Sequence, residues 1–238
     1  MPLSIQAVAW NLEAISFDDC NKTKSCLFSP ANCDPAVNCV TILTFKPEQD
    51  YVDFEASTVE LAQGPLDSKY IAVGFSDDQE MGDDSVTYCQ YQAHDNSVSV
   101  ALGFNLGHAV NVPIGNEDTV SLLEGGVINS TLVCRFRQKI IPTKKSKYIR
   151  PLNESYFLFL TTGPVMPDGK LTVHALDHDM DNFPYISDHK INLVALGGAI
   201  ANAEPYVSEH TTAKTILKKT HGKLKSTVFI SKQRLISQ

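Results

Sequence analysis

No stretch of the 238-residue sequence reaches the ~18 consecutive apolar residues that a membrane-spanning helix needs, so no helical span is expected. The opening residues, MPLSIQAVAWNLEAISF, lack a basic start and a clean apolar run. No signal peptide is therefore visible, which points to a fragment or an incomplete gene product. Basic charge is also scarce: 20 Lys and Arg against 27 Asp and Glu give a formal net charge of −7. Nucleic-acid binding requires a basic footprint, and its absence excludes that class of partner. There is no G-x-S-x-G, H-E-x-x-H, P-loop or G-x-G-x-x-G, which leaves hydrolase, zincin and nucleotide readings without support. Internal repeats are missing, and helical periodicity is missing until about residue 211. With 43% hydrophobic and 20% charged residues, 13 Gly and 12 Pro, the chain is neither collagen-like, coiled-coil nor wholly disordered. At ~150 residues per domain, the length fits one large domain or one domain with an appendage.

Six cysteines are present: Cys20, Cys26, Cys33, Cys39, Cys89 and Cys134. Neighbours in the first four are separated by five, six and five residues, not by the C-x-x-C pairs of a zinc site. An even number suits disulfides, and six cysteines allow fifteen pairings among which spacing cannot choose. Three N-x-S/T acceptors, at Asn21, Asn129 and Asn153, agree with that chemistry, because glycosylation and disulfides share one oxidising route. Together they point to an extracellular or lumenal domain.

From Val40 onward, short runs rich in β-branched and aromatic residues recur between Gly, Pro, Asn and Asp clusters. They are VTILTF (40–45), YVDFEA (51–56), YIAVGF (70–75), SVTYCQY (85–91), SVSVALGF (97–104), STLVCRF (130–136), YFLFL (156–160) and KLTVHAL (170–176). Runs of this length and spacing predict antiparallel strands in a sandwich or barrel. After Glu209 come Lys214, Lys218, Lys219, Lys223, Lys225, Lys232 and Arg234 with no acid among them. This basic tail reads as a solvated segment, with an anionic lipid or acidic partner as the alternative, and it allows one short amphipathic helix.

Two side chains stand out as possible metal ligands. Met81 lies inside YIAVGFSDDQEMGDDSVTYC among Asp77, Asp78, Glu80, Asp83 and Asp84, with no apolar neighbours in sequence. A thioether is a soft ligand suited to Cu(I) or haem iron. His174 lies in GKLTVHALDHD, where a lone histidine is more often an ordinary core or surface residue. His94, His108, His178, His189, His210 and His221 compete with it, and periodicity cannot choose. Asp177-His178-Asp179-Met180-Asp181 opens like a calcium loop, but Asn182 stands where glycine is needed and Pro184 follows. Arg135 to Arg150 carries seven Lys or Arg and reads as a solvated strand end and loop, with an acidic redox partner or a membrane surface as the alternative.

The cysteine spacing, then IAVGFSDDQEMGDDSVTYC, STLVCRF, YFLFLTTGP and KLTVH in that order, resemble the DOMON domain of the ferric-chelate reductase and stromal-cell-derived receptor family. The likeness covers about residues 17–195, with Tyr70–Ile71 standing where the family usually has Trp. It implies an all-β fold, an antiparallel immunoglobulin-like sandwich with a Cys-rich lead-in. Residues 1–16 are then a leader or the end of a preceding region, and 196–238 a linker and basic tail. The resemblance also implies that Cys89 pairs with Cys134. In cytochrome members a b-type haem sits between an axial Met and an axial His, which fall on Met81 and His174 here. The absence of C-x-x-C-H agrees with non-covalent attachment. Both axial positions filled by protein describe a centre that relays electrons, not one with an open catalytic position.

ILKKTHGKL (216–224) is similar to the entry of the family's transmembrane cytochrome, after which the likeness stops. His221 is therefore expected to be idle. The resulting expectation is a haem b electron-transfer domain that works with a redox partner protein or membrane cytochrome. The alternative is a haem-free extracellular interaction module that binds a partner protein or small ligand. A degenerate, non-functional fragment is the third possibility.

Overall fold

The computed structural model describes residues 12–59, 68–107, 110–116, 118–144, 146–195, 213–220 and 223–230. The chain divides into two compact units after residue 205. The first contains β1 (Ser25–Ser29), β2 (Thr41–Glu48), β3 (Tyr51–Val59), β4 (Lys69–Ser76), β5 (Ser85–Gln92) and β6 (Ser97–Leu106). It continues with β7 (Val110–Gly115), β8 (Val120–Ile128), β9 (Thr131–Lys139), β10 (Ser155–Pro164), β11 (Tyr185–Ile186) and β12 (Ile191–Asn192). Five strands form one sheet in the order β1-β2-β3-β9-β8, and the second runs β11-β10-β4-β5-β6-β7 with β12 also on β10. Every pairing within the two sheets is antiparallel.

The two sheets share one core, so the arrangement is the all-β sandwich expected. Leu43, Phe45, Val52, Phe54 and Phe136 of the first sheet and Ile71, Val73, Phe75, Leu158 and Leu160 of the second belong to a single buried cluster. Phe54 stacks on Phe136 at 5.0 Å between ring centroids and meets Phe75 of the opposite sheet at 6.5 Å. Cys89 on β5 and Cys134 on β9 cross-link the sheets through a disulfide. Thr87 donates to Gln138 across the same gap at 2.6 Å.

Strand β4 explains where a binding site can form. A strand with one wet face alternates apolar and polar residues, whereas YIAVGF is apolar throughout, as strands buried on both faces are. Ile71, Val73 and Phe75 point into the sandwich. Tyr70 and Ala72 point the other way and build a second buried cluster with Val86, Tyr88 and Val165. The second sheet is thus covered on its outer face by the segment that follows β10.

Seven of the eight predicted runs are strands. The eighth, KLTVHAL, is not: beyond an isolated Val165–Leu171 bridge, residues 172–176 pair with no strand. The Thr172 amide is taken by the Pro164 carbonyl at 3.1 Å, and no further ladder bond follows. Strands β1, β7 and β8 carry no strong period-2 signal, since β1 is embedded in the cysteine cluster, β7 contains Pro113, and β8 contains Gly125–Gly126. Gly125 is required there, because a Cβ would sit 2.6 Å from Val98 Cγ1.

The second unit corrects the helical expectation for the tail. Ala213–Thr220 (β13) and Lys223–Ile230 (β14) form an antiparallel pair from Ala213↔Ile230 to Thr220↔Lys223. Six β-branched residues in those runs (Thr215, Ile216, Thr220, Thr227, Val228, Ile230) favour extended backbone, which outweighs the weak helical pattern.

Candidate functional site

On the outer face of β4 lies a cleft of about 160 Å³. Its floor is Tyr70, Ala72 and Gly74 of β4 with Val86 of β5, Phe159 and Thr161 of β10, and Asn105 beside Asn111. Two segments from distant parts of the chain complete the wall. One is the loop between β4 and β5, which contributes Met81, and the other is the stretch after β10, which contributes Leu171 to His174. The two singled-out side chains therefore line the same cleft.

Met81 is half-buried, and its loop is held by short-range turns and long-range ties. The Glu80 amide donates to Asp78 Oδ1 at 2.9 Å and the Gly82 amide to Asp84 Oδ2 at 2.8 Å. Gly82 (φ 148°) and Asp83 (φ 55°) take left-side backbone conformations that turn the chain just past Met81. Asp84 is 2% exposed, and burial raises its carboxyl above the ordinary value despite hydrogen bonds from Ser76, Gly82 and Asn105 and the charge of Arg150. Asp77 pairs with Arg150 at 2.5 Å and lies 3.8 Å from Lys190 Nζ. Gln79 reaches the Ser187 carbonyl at 3.0 Å.

His174 follows a triply fastened residue. Thr172 donates from its amide and its hydroxyl to the Pro164 carbonyl, and its own carbonyl accepts from the Tyr70 hydroxyl at 3.0 Å. Tyr70 is 3% exposed, and burial drives its phenol well above the usual value, so it remains a donor. His174 Nδ1 lies 2.7 Å from the Ala175 carbonyl. A carbonyl only accepts, so Nδ1 is the donor, which leaves Nε2 as the ring nitrogen that a neutral imidazole would offer to a metal.

The competing histidines lie elsewhere or face other partners. His94 sits 3.5 Å from Asp95, His178 meets Phe183 in a tilted ring contact at 4.0 Å, and His189 contacts Asp188. His108, His210 and His221 lie outside the described residues. Asp177, Asp179 and Asp181 are exposed, and among the described residues no three His, Cys, Asp or Glu converge as a metal site. Cys20 pairs with Cys26 and Cys33 with Cys39, each inside the lead-in. Asn21, Asn129 and Asn153 are exposed. The basic stretch is largely committed within the fold: Arg135 binds Glu55 and Glu124, Arg137 binds Asp53, and Arg150 binds Asp77.

Sequence reasoning missed Tyr70 and Arg150 as parts of this site. Neither had a local signal, because their partners lie 102 and 73 residues away.

Residues 41–163 match the DOMON domain family. The chain is 30% identical over 199 residues to ferric-chelate reductase 1 of Mus musculus, covering 81% of this chain and 30% of that protein. It is 29% identical over 167 residues to DOMON domain-containing protein FRRS1L of Homo sapiens, covering 68% and 52% respectively. The chain thus spans less than a third of the reductase and about half of the second relative. A likeness also exists to a solved cytochrome domain of Myriococcum thermophilum cellobiose dehydrogenase, at 13% identity and a TM-score of 0.42, covering 66% of this chain and 77% of that one.

Proposed function

This chain belongs to the DOMON domain family, and from that premise we propose that it holds one b-type haem between Met81 and His174 and relays single electrons within a ferric-chelate-reductase-like system. The supporting observation is that these two side chains, chosen from distant stretches of sequence, line one cleft. The donor set suits the group: the Met81 thioether and the His174 imidazole are the two side chains that would hold the iron. The cleft walls suit it too, since Ala72, Val86, Phe159 and Leu171 offer an apolar face. A haem bound there supplies a one-electron ferric/ferrous couple whose potential is raised by the thioether.

The chain's own contribution is positioning. Tyr70 fixes the backbone before His174, and the turn at Gly82–Asp83 aims Met81. A cleft of about 160 Å³ is near the ~150 Å³ that accommodates one benzene ring, so a tetrapyrrole held there would extend beyond it. Three disulfides and three exposed glycosylation acceptors support an extracellular or lumenal setting for this activity, with a redox protein or membrane cytochrome as partner.

A haemin titration followed by Soret absorbance tests the reading. One equivalent binds the wild-type chain, and Met81→Ala and His174→Ala each weaken the complex by at least about tenfold; equal affinity in all three rejects it. The small cleft volume favours a second reading, a haem-free interaction module taking a small apolar ligand or a partner protein. In that case haemin binds weakly and without stoichiometry.

A further inference from the structure

The loop that carries Met81 has reasons to splay apart. Its eight residues from Asp77 to Asp84 include five carboxylates, and like charges this close repel. One cation bridges its two ends. Arg150, in the connection between β9 and β10, donates from Nη1 to Asp77 Oδ2 at 2.5 Å and from Nη2 to the Asp83 carbonyl at 3.3 Å. The first contact is at the loop's entry and the second just beyond Met81. The guanidinium is itself seated, with its carbon 5.6 Å from the ring centroid of Tyr156, which is 1% exposed.

The other ties each hold a single point. Gln79 binds the Ser187 carbonyl, Lys190 approaches Asp77, and Asp84 accepts from the Gly82 amide inside the turn. The Ser76–Asp84 contact joins the two strand ends at the base of the loop, and the Asp84 carbonyl is held by the Asn105 amide at 2.9 Å, but neither reaches the residues that flank Met81 as Arg150 does. Arg150 reaches the two acceptors with two different nitrogens of one planar guanidinium, a spacing that the single ammonium of lysine does not reproduce.

We propose that Arg150 is a positioning residue for Met81, setting the span of the loop so that the thioether stays in the cleft wall. Its consequence for iron ligation rests on the haem reading, but its effect on Met81 does not. The test uses the full chain with ¹³C-methyl methionine, before and after addition of haemin, with the Met81 resonance assigned through Met81→Leu.

Before haemin, Arg150→Gln moves the Met81 methyl toward the position of a freely rotating methionine and speeds exchange of the Gly82 amide by about tenfold, the scale of one lost charge-assisted tie. Arg137→Gln, which breaks a comparable two-point contact with Asp53 in the other sheet, leaves both unchanged. After haemin, Arg150→Gln lowers the ratio of six-coordinate to five-coordinate haem by about tenfold, and Arg150→Lys restores only part of it. Should Arg150→Gln fail to give a cooperative melt, Asp77→Ala removes the entry contact and is read in the same way.

An unchanged Met81 methyl and Gly82 exchange in the folded variant overturns the proposal, even if haem binds through Met81. A shifted methyl in a chain whose haem spectrum ignores Met81→Ala leaves the positioning role standing and removes the haem reading instead.

Discussion

The Tyr70 hydroxyl donates to the Thr172 carbonyl at 3.0 Å, tying the middle of a sheet to the segment that delivers His174 two residues later. The phenol is buried and shifted upward, so this bond persists across the ordinary pH range. Tyr70→Phe keeps the ring and leaves the carbonyl short of a partner. It should cost about 1 kcal/mol in urea unfolding and weaken haemin binding, with little change in the far-UV spectrum. A variant with wild-type stability and haemin affinity would show that Thr172 is held adequately by Pro164 alone.

The inter-sheet disulfide is expected to carry much of the stability of the sandwich. Cys89 and Cys134 are both fully buried, and the bond closes a loop with a sequence separation of 45. Replacing both with Ala should lower the unfolding free energy by about 2–5 kcal/mol. The lead-in pairs close loops of separation 6, so removing either should cost clearly less. Urea titrations without reductant give the comparison, and equal losses would contradict it.

Much of the fold is legible because antiparallel strands with a buried face announce themselves residue by residue. YIAVGF and SVTYCQY show this well, and Met81 stands out as a thioether among five carboxylates, whereas His174 is one of seven histidines and is picked out only by the family resemblance. The parts that escaped depend on distant partners. β8 needs a glycine at 125 because Val98 lies against it, which no local pattern reveals. KLTVHAL has strand-like composition but meets no strand edge after Leu171. The two-point grip of Arg150 looked, in sequence, like one more solvated charge.

Gly125 offers a direct check on that packing. A Cβ there would stand 2.6 Å from Val98 Cγ1, and a β-branched valine has little rotamer freedom to yield. Gly125→Ala should destabilise by about 1–3 kcal/mol, and the double variant with Val98→Ala should recover part of the loss. Additive losses in the thermal melts would rule out the close contact as the cause.

Two carboxylates should shape the pH dependence in opposite directions. Burial pushes Glu55 up, but hydrogen bonds from Lys24, Arg135 and Thr44 outweigh it, and its net pKa is lowered. Its stabilisation is present above the ordinary carboxylate value and is lost as pH falls through the depressed folded value. Glu55→Gln should therefore cost about 1 kcal/mol at pH 7, a difference that shrinks on acidification below about pH 4. Asp84 is raised, chiefly by burial, so its ionisation works against folding as pH rises above the ordinary carboxylate value. Asp84→Asn should gain on wild type between pH 4 and pH 7. Stability curves for the two variants that run parallel to wild type would contradict both assignments.

Joint ligation of one haem iron by Met81 and His174 is the proposal on which the electron-relay function rests. Its most direct test is the dithionite-reduced minus oxidised absorption spectrum of the haemin-reconstituted full chain. Ligation by both side chains gives a sharp, low-spin, six-coordinate signature that is lost in His174→Ala and changed to a different ligation state in Met81→Ala. A broad spectrum indifferent to both substitutions would contradict it.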